Sequence, residues 1–162
     1  MKMTMKSRMF AAGAALAIAA PLALASAQAA DPVIGTWVLN VAKSTYSAGG
    51  APKSATRTYT AAGKGYKFSS TTVDAAGKST TVEFTTAADG KSVPVTGSPT
   101  MDAIVVKRVD ANTTESTQMK AGKMVTTTLR LVSKDAKTIT STAKGTNAAG
   151  KAFTNVEVYE KK

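Results

Sequence analysis

From residue 33 onward, apolar and polar residues alternate in short runs instead of recurring every three or four positions. "YKFSST" puts Tyr66, Phe68 and Ser70 on one face, "TVEF" pairs Val82 with Phe84, "SVPV" pairs Val93 with Val95, and "VTTTLRL" lines up Val125, Leu129 and Leu131. A period of two is the mark of a β-strand. Turn sequences punctuate these runs: "AAGKG" at 61–65, "DAAGK" at 74–78, "ADGK" at 88–91, "KAGK" at 120–123, "KDAK" at 134–137 and "NAAGK" at 147–151. In such stretches Gly supplies a positive φ, and Asp or Asn bonds its own backbone or tolerates the left-handed region. Their spacing leaves room for one strand between neighbours. The pattern predicts ten strands, at 33–40, 55–61, 65–73, 79–86, 92–96, 103–109, 113–119, 124–132, 138–144 and 152–160, and no helix after residue 30.

Hairpin-linked strands in one row leave two open edges unless the sheet closes on itself. The expected fold is therefore all-β, a closed antiparallel up-and-down β-barrel of about ten strands. A barrel of that size has a wide interior, and the chain supplies few large apolar side chains to fill it. A partly polar, hydrated cavity is expected, and it is the main hint of function.

The first 29 residues read as a helical export signal. Lys2, Lys6 and Arg8 give a basic start, Met9 to Ala25 an apolar core broken by Pro21, and Ala27-Gln28-Ala29 a cleavage site. The apolar run is too short and Ala-rich for a membrane anchor and lacks a basic stop-transfer flank. A periplasmic or secreted bacterial product is expected, with residues 30–162 as one barrel domain and no stable membrane insertion after cleavage. Removing three basic residues from 21 leaves 18 against 10 acidic ones, a mature net charge of 18 − 10 = +8. Lysines scattered near turns keep a surface solvated and blunt sheet edges. Export argues against a nucleic-acid partner, and the expected state is a monomer.

The chain contains neither His nor Cys. A Ser-His-Asp triad and thiol chemistry are thus excluded, zinc and haem sites are not expected, and no cofactor or metal is assigned. Ser141-Thr142-Ala143-Lys144 spells Ser-x-x-Lys, but it falls in a strand without partner motifs and is read as chance. Asp74, Asp89 and Asp135 sit where turn capping explains them, and Glu83 and Glu115 read as solvent-facing partners for Lys. No enzyme is expected. The candidate ligand-binding residues are Arg57, Tyr59, Tyr66, Arg108 and Tyr159. Arg57 shares a face with Tyr59. Arg108 shares one with Ile104 and Val106: if that face is inward it can meet an anionic group, and if the Val105–Val109 face is inward it is a surface charge.

The ends of the chain carry a resemblance. Gly35-Thr36-Trp37, at the head of the first strand, resembles the Gly-x-Trp signature of the calycin superfamily, which includes lipocalins, fatty-acid-binding proteins and avidins. The terminal "VEVYEKK" looks like the last strand of intracellular fatty-acid-binding proteins, which usually read Arg-Val-Tyr-Glu-Lys. The layout over 33–161 is similar to small exported bacterial lipocalin-like proteins. The resemblance implies a structural role for Gly35 and Trp37, with the single Trp of the chain plugging the closed end against the stem of a basic side chain near the C-terminal strands. It also implies binding of a small hydrophobic or amphipathic ligand without catalysis. Two departures stand against simple transfer. The family's carboxylate-holding Arg-x-Tyr is here Glu157 and Tyr159, an acid where a cation belongs. Gly49-Gly50 and Pro52 also break the helical lid that would follow the first strand, so a loop must gate the mouth. The alternative expectation is a cell-envelope structural or interaction module with a packed barrel and a basic working surface.

Overall fold

The computed structural model describes residues 31–147 and 149–162, and the expected signal peptide lies outside them. Eleven strands follow in order: β1 (Gly35–Leu39), β2 (Thr45–Tyr46), β3 (Ser54–Ala62), β4 (Gly65–Val73), β5 (Ser79–Thr86), β6 (Asp89–Pro94), β7 (Ala103–Arg108), β8 (Thr113–Lys120), β9 (Lys123–Val132), β10 (Thr138–Thr146) and β11 (Ala152–Lys161). They form one antiparallel sheet in the order β5-β4-β3-β1-β11-β10-β9-β8-β7-β6, with β2 also beside β11. Inserting β1 between β3 and β11 joins the two ends of the chain and rolls the sheet into a barrel.

The barrel is nearly closed. At the two ends of the row, β5 is bridged to the segment just past β6, where the backbone amides and carbonyls of Glu83 and Thr96 exchange hydrogen bonds of 3.1 and 3.0 Å. Beside this bridge Gly97 lies at φ +77°, and a Cβ there would stand 1.9 Å from the Thr81 carbonyl oxygen, so only glycine fits.

Nine of the ten expected strands recur with ends shifted by two residues or fewer, because turn chemistry fixes where each must stop. The differences have local causes. "ADGK" at 88–91 is not a hairpin turn: β6 already begins at Asp89, and a register shift between Asp89 and Ser92 absorbs Gly90 and Lys91. The stretch after β1 makes a 3-10 turn at Val41–Lys43, closed by the Asn40 side chain accepting from the Lys43 amide. β2 then resumes the ladder on β11 at Tyr46–Asn155 and Thr45–Val156. Among the described residues no helical lid follows, in keeping with the loop expected at the mouth.

One end of the cylinder is filled. Val33 and Trp37 are fully buried there, with Ala88, Val132 and Ile139 at 4% exposure or less. The Trp37 indole donates to the Val33 carbonyl at 2.8 Å, and the Lys161 ammonium lies 5.0 Å from the ring. Lys161 Cε would be 2.8 Å from any Cβ at position 35, so Gly35 makes room for that stem. The outer wall departs from the simple apolar-inside rule at β9: Leu129 and Leu131 are 47% and 49% exposed, while Arg130 and Val132 point inward and are buried.

Candidate functional site

Above the Trp37 plug the interior opens into a cavity of about 780 Å³. That volume holds roughly 25 waters at liquid density. It is the size of a whole small molecule rather than an ion, and lies within the usual range of ligand pockets. Its wall has two characters, set by the strands that build it. β3, β4 and β5 contribute Tyr59, Tyr66, Phe68, Val82 and Phe84, and β7 adds Ile104 and Val106. The aromatic members pack edge to face, Tyr59 against Tyr66 at 5.2 Å and against Phe68 at 5.1 Å, and Phe68 stacks on Phe84 at 4.7 Å. Such pairs lock one another's rotamers and hold that wall rigid. From β8 to β11 the wall is mainly hydroxyl and amide, with Thr114, Ser116, Gln118, Thr126, Thr128, Ser141 and Asn155, interrupted by Val125, Ala143 and Phe153. Ser70 and Thr72 of β4 add hydroxyls to the aromatic side, so polar groups are concentrated on the β8–β11 side without being confined to it. The mouth is framed by loops, with Pro99, Thr100 and Met101 on one side and Thr146 and Asn147 on another.

A belt of polar side chains crosses the floor. Strand register places Arg57 opposite Ser70, and Ser141 between Arg130 on one neighbouring strand and Glu157 on the other; Arg130 in turn faces Thr114. Arg57 donates from Nη2 to Glu157 Oε2 at 2.6 Å and from Nη1 to Ser141 Oγ at 3.1 Å, and its guanidinium lies 4.0 Å over the Tyr159 ring. Glu157 also accepts from the hydroxyls of Tyr46 at 3.4 Å and Tyr159 at 3.3 Å. Burial, followed by the charge of Glu157, pushes the Tyr46 phenol up to about 12, so it remains a donor at neutral pH. Arg130 is 8% exposed and donates from Nη1 to the Tyr66 hydroxyl at 3.2 Å, with its guanidinium 5.0 and 5.3 Å from the Tyr59 and Tyr66 ring centres. Burial raises the Tyr66 phenol, and the neighbouring Arg130 charge partly opposes that rise.

Among solved structures the chain is similar to the zebrafish ileal bile acid-binding protein complexed with cholic acid. Identity is 13% and the TM-score 0.48, over 81% of this chain and 99% of that one. The chain matches no protein-family model and no curated protein. So distant a likeness says nothing about what this cavity holds.

The expected site residues separate into three positions. Arg57, Tyr59 and Tyr66 line the cavity. Tyr159 does not: it is 1% exposed and covered by the Arg57 guanidinium. Arg108 does not line it either. Its face is the inward one, as Ile104 and Val106 at 4% and 2% exposure require, but the residue sits at the filled end and forms an ion pair with Asp31. Arg108 does meet an anionic group, as the inward reading expected, but that group is the protein's own Asp31 and not a ligand. Glu83 pairs with Lys67 at 3.3 Å on the outer surface, as a solvent-facing acid should. Ser141 and Lys144 point to opposite faces of β10, so Ser-x-x-Lys makes no nucleophile–base pair.

Sequence reading did not find Arg130 or the role of Glu157 as its neighbour's counter-ion. A signal existed for the first: in β9 Arg130 shares its alternation with Thr128 and Val132, against the more apolar Leu129–Leu131 face. Among the described residues no cluster of His, Cys, Asp and Glu could hold a metal, and no helix is long and apolar enough to cross a membrane.

Proposed function

We propose that the chain is an exported, monomeric barrel that binds a small amphipathic molecule in its interior and does not transform it. The observation that carries this reading is the cavity of about 780 Å³ with a mainly aromatic and aliphatic wall on one side and a mainly hydroxyl and amide wall on the other. An apolar ligand would leave the polar wall unpartnered, and a fully polar one would gain nothing from the aromatic wall. A molecule carrying both characters satisfies each. The belt supports binding without conversion: the Ser141 hydroxyl hydrogen-bonds to Arg57, a group that stays charged and cannot take its proton. The rival reading as an envelope module draws support from the exposed Leu129 and Leu131, but it calls for a packed interior.

Native mass spectrometry of protein purified from its own host tests both halves. A polypeptide mass beginning at Ala30 together with a co-purifying small molecule is the expected outcome. Protein that is consistently empty and takes up no dye in a fluorescent-lipid displacement assay would refute interior binding. A mass retaining residues 1–29 would refute export.

A further inference from the structure

The charged side chains lining the cavity are Arg57, Arg130 and Glu157, a sum of 2 − 1 = +1. They are not equivalent. Arg57 has a counter-charge: it is held by the Glu157 carboxylate at 2.6 Å, by Ser141 and by the Tyr159 ring, and only its Nε lacks a hydrogen-bond partner. Arg130 shares the unpartnered Nε but forms no ion pair among the described residues, and its one side-chain bond goes to a neutral phenol. A guanidinium has five N–H donors, so a buried one with a single bond to protein leaves most of its capacity for whatever fills the cavity. A largely desolvated cation without a counter-charge is also the place where a bound anion relieves the largest cost.

We infer that Glu157 is the specificity-determining residue of the cavity: by neutralising Arg57 from within, it leaves Arg130 as the single available cation, and the ligand is therefore an amphiphile bearing one negative charge. The inference rests on the interior being the binding site. A second negative charge on the ligand would meet the occupied Arg57 and the Glu157 carboxylate, and is repelled. A neutral ligand leaves Arg130 uncompensated. The acid that stands at 157 is thus a selector of ligand charge.

The test uses a probe pair differing by one charge, 11-(dansylamino)undecanoate and its methyl ester, with dodecyl phosphate as a competitor that carries more negative charge. The mature protein should bind the acid at least roughly tenfold tighter than the ester. R130M should collapse that preference to within about threefold, and R130K should recover part of it, because the lost term is charge. R57M should weaken the acid by about tenfold or more, since it unmasks Glu157, and adding E157M to R57M should rescue binding; deleting Glu157 could not rescue a direct Arg57–ligand contact. E157Q should admit dodecyl phosphate as a markedly better competitor. Near-ultraviolet circular dichroism reports folding, and the R57M/E157M variant, which removes the buried pair as a unit, carries the test if E157Q does not fold. Preference for the acid that survives R130M, or acid binding that R57M/E157M fails to restore, would overturn the assignment while leaving interior binding intact. Failure of the unmodified protein to bind either probe would overturn interior binding and this inference with it.

Discussion

Trp37→Ala tests the base of the barrel. The indole is fully buried, so removing it deletes a large aromatic from a packed end that cannot collapse without dragging β1 away from β3 and β11. Truncations of this kind cost about 3–5 kcal/mol. Two features favour the upper half of that range. The Val33 carbonyl loses its 2.8 Å donor, and a buried acceptor left unpaired costs about 1–3 kcal/mol, while the Lys161 stem loses the ring it packs on. Against a total stability of roughly 5–15 kcal/mol, this variant forfeits about a quarter or more. Trp37→Phe separates the contributions, since it keeps most of the ring and loses the N–H, and should cost about 1–2 kcal/mol. Because Trp37 is the only tryptophan, the variants carry no indole fluorescence, and urea unfolding must be followed by far-ultraviolet circular dichroism. A loss below about 1 kcal/mol for Trp37→Ala would refute the plug. So would loss of probe binding by a folded Trp37→Phe, because Trp37 does not line the cavity.

At β9 the two faces should respond oppositely: Leu131→Thr, on the outer surface, should change stability by less than about 0.5 kcal/mol, and Val132→Ala, at 2% exposure, should cost about 2 kcal/mol. Urea midpoints of similar size for the two would mean that the strand face is misassigned. Gly97→Ala should cost roughly 2 kcal/mol or more, from the left-handed φ and the overlap with the Thr81 carbonyl, with hydrogen exchange rising first at the Glu83 and Thr96 amides; unchanged exchange there would show that the seam does not depend on this glycine. Burial holds the phenols of Tyr46, Tyr66 and Tyr159 above their ordinary value, Tyr46 at about 12. Unfolded tyrosines ionise near about 10, so stability is intact below that pH and falls as pH rises through the folded values. Absorbance at 295 nm should show alkaline ionisation coinciding with unfolding, and all phenols titrating near 10 in a folded protein would contradict the burial.

The barrel was legible in the sequence because its information is local. Each hairpin except the one at β5–β6 is specified by a turn whose Gly, Asp or Asn stands beside the strands it joins, and alternation in "YKFSST" and "TVEF" reports a face buried on one side only. What escaped is what depends on register between distant strands. β2 has two residues and no turn of its own, and exists because β11 offers an unpaired edge at Asn155 and Val156 once β1 has ended. At the β5–β6 junction a Gly-containing tetrapeptide looks like a hairpin but lies inside a strand, because the ring must leave its seam somewhere and the two strands separate there.

The site was less legible for a related reason. Apolar alternation identifies an inward face only where the inside is drier than the outside, and a hydrated cavity removes that contrast. In β9 the contrast reverses: the exposed face carries two leucines, while the cavity face carries two threonines and the arginine that the rest of the belt leaves without a counter-charge. Likewise Glu157 read from the sequence is an acid in a cation's place, and only the alignment of β10 with β11 and the approach of β3 show that it holds Arg57 instead of facing it emptily. Charge at the floor of such a barrel is therefore a property of pairs across strands. Substituting either arginine alone changes what the other can do, which is why the double variant at Arg57 and Glu157, rather than any single one, decides what the cavity selects.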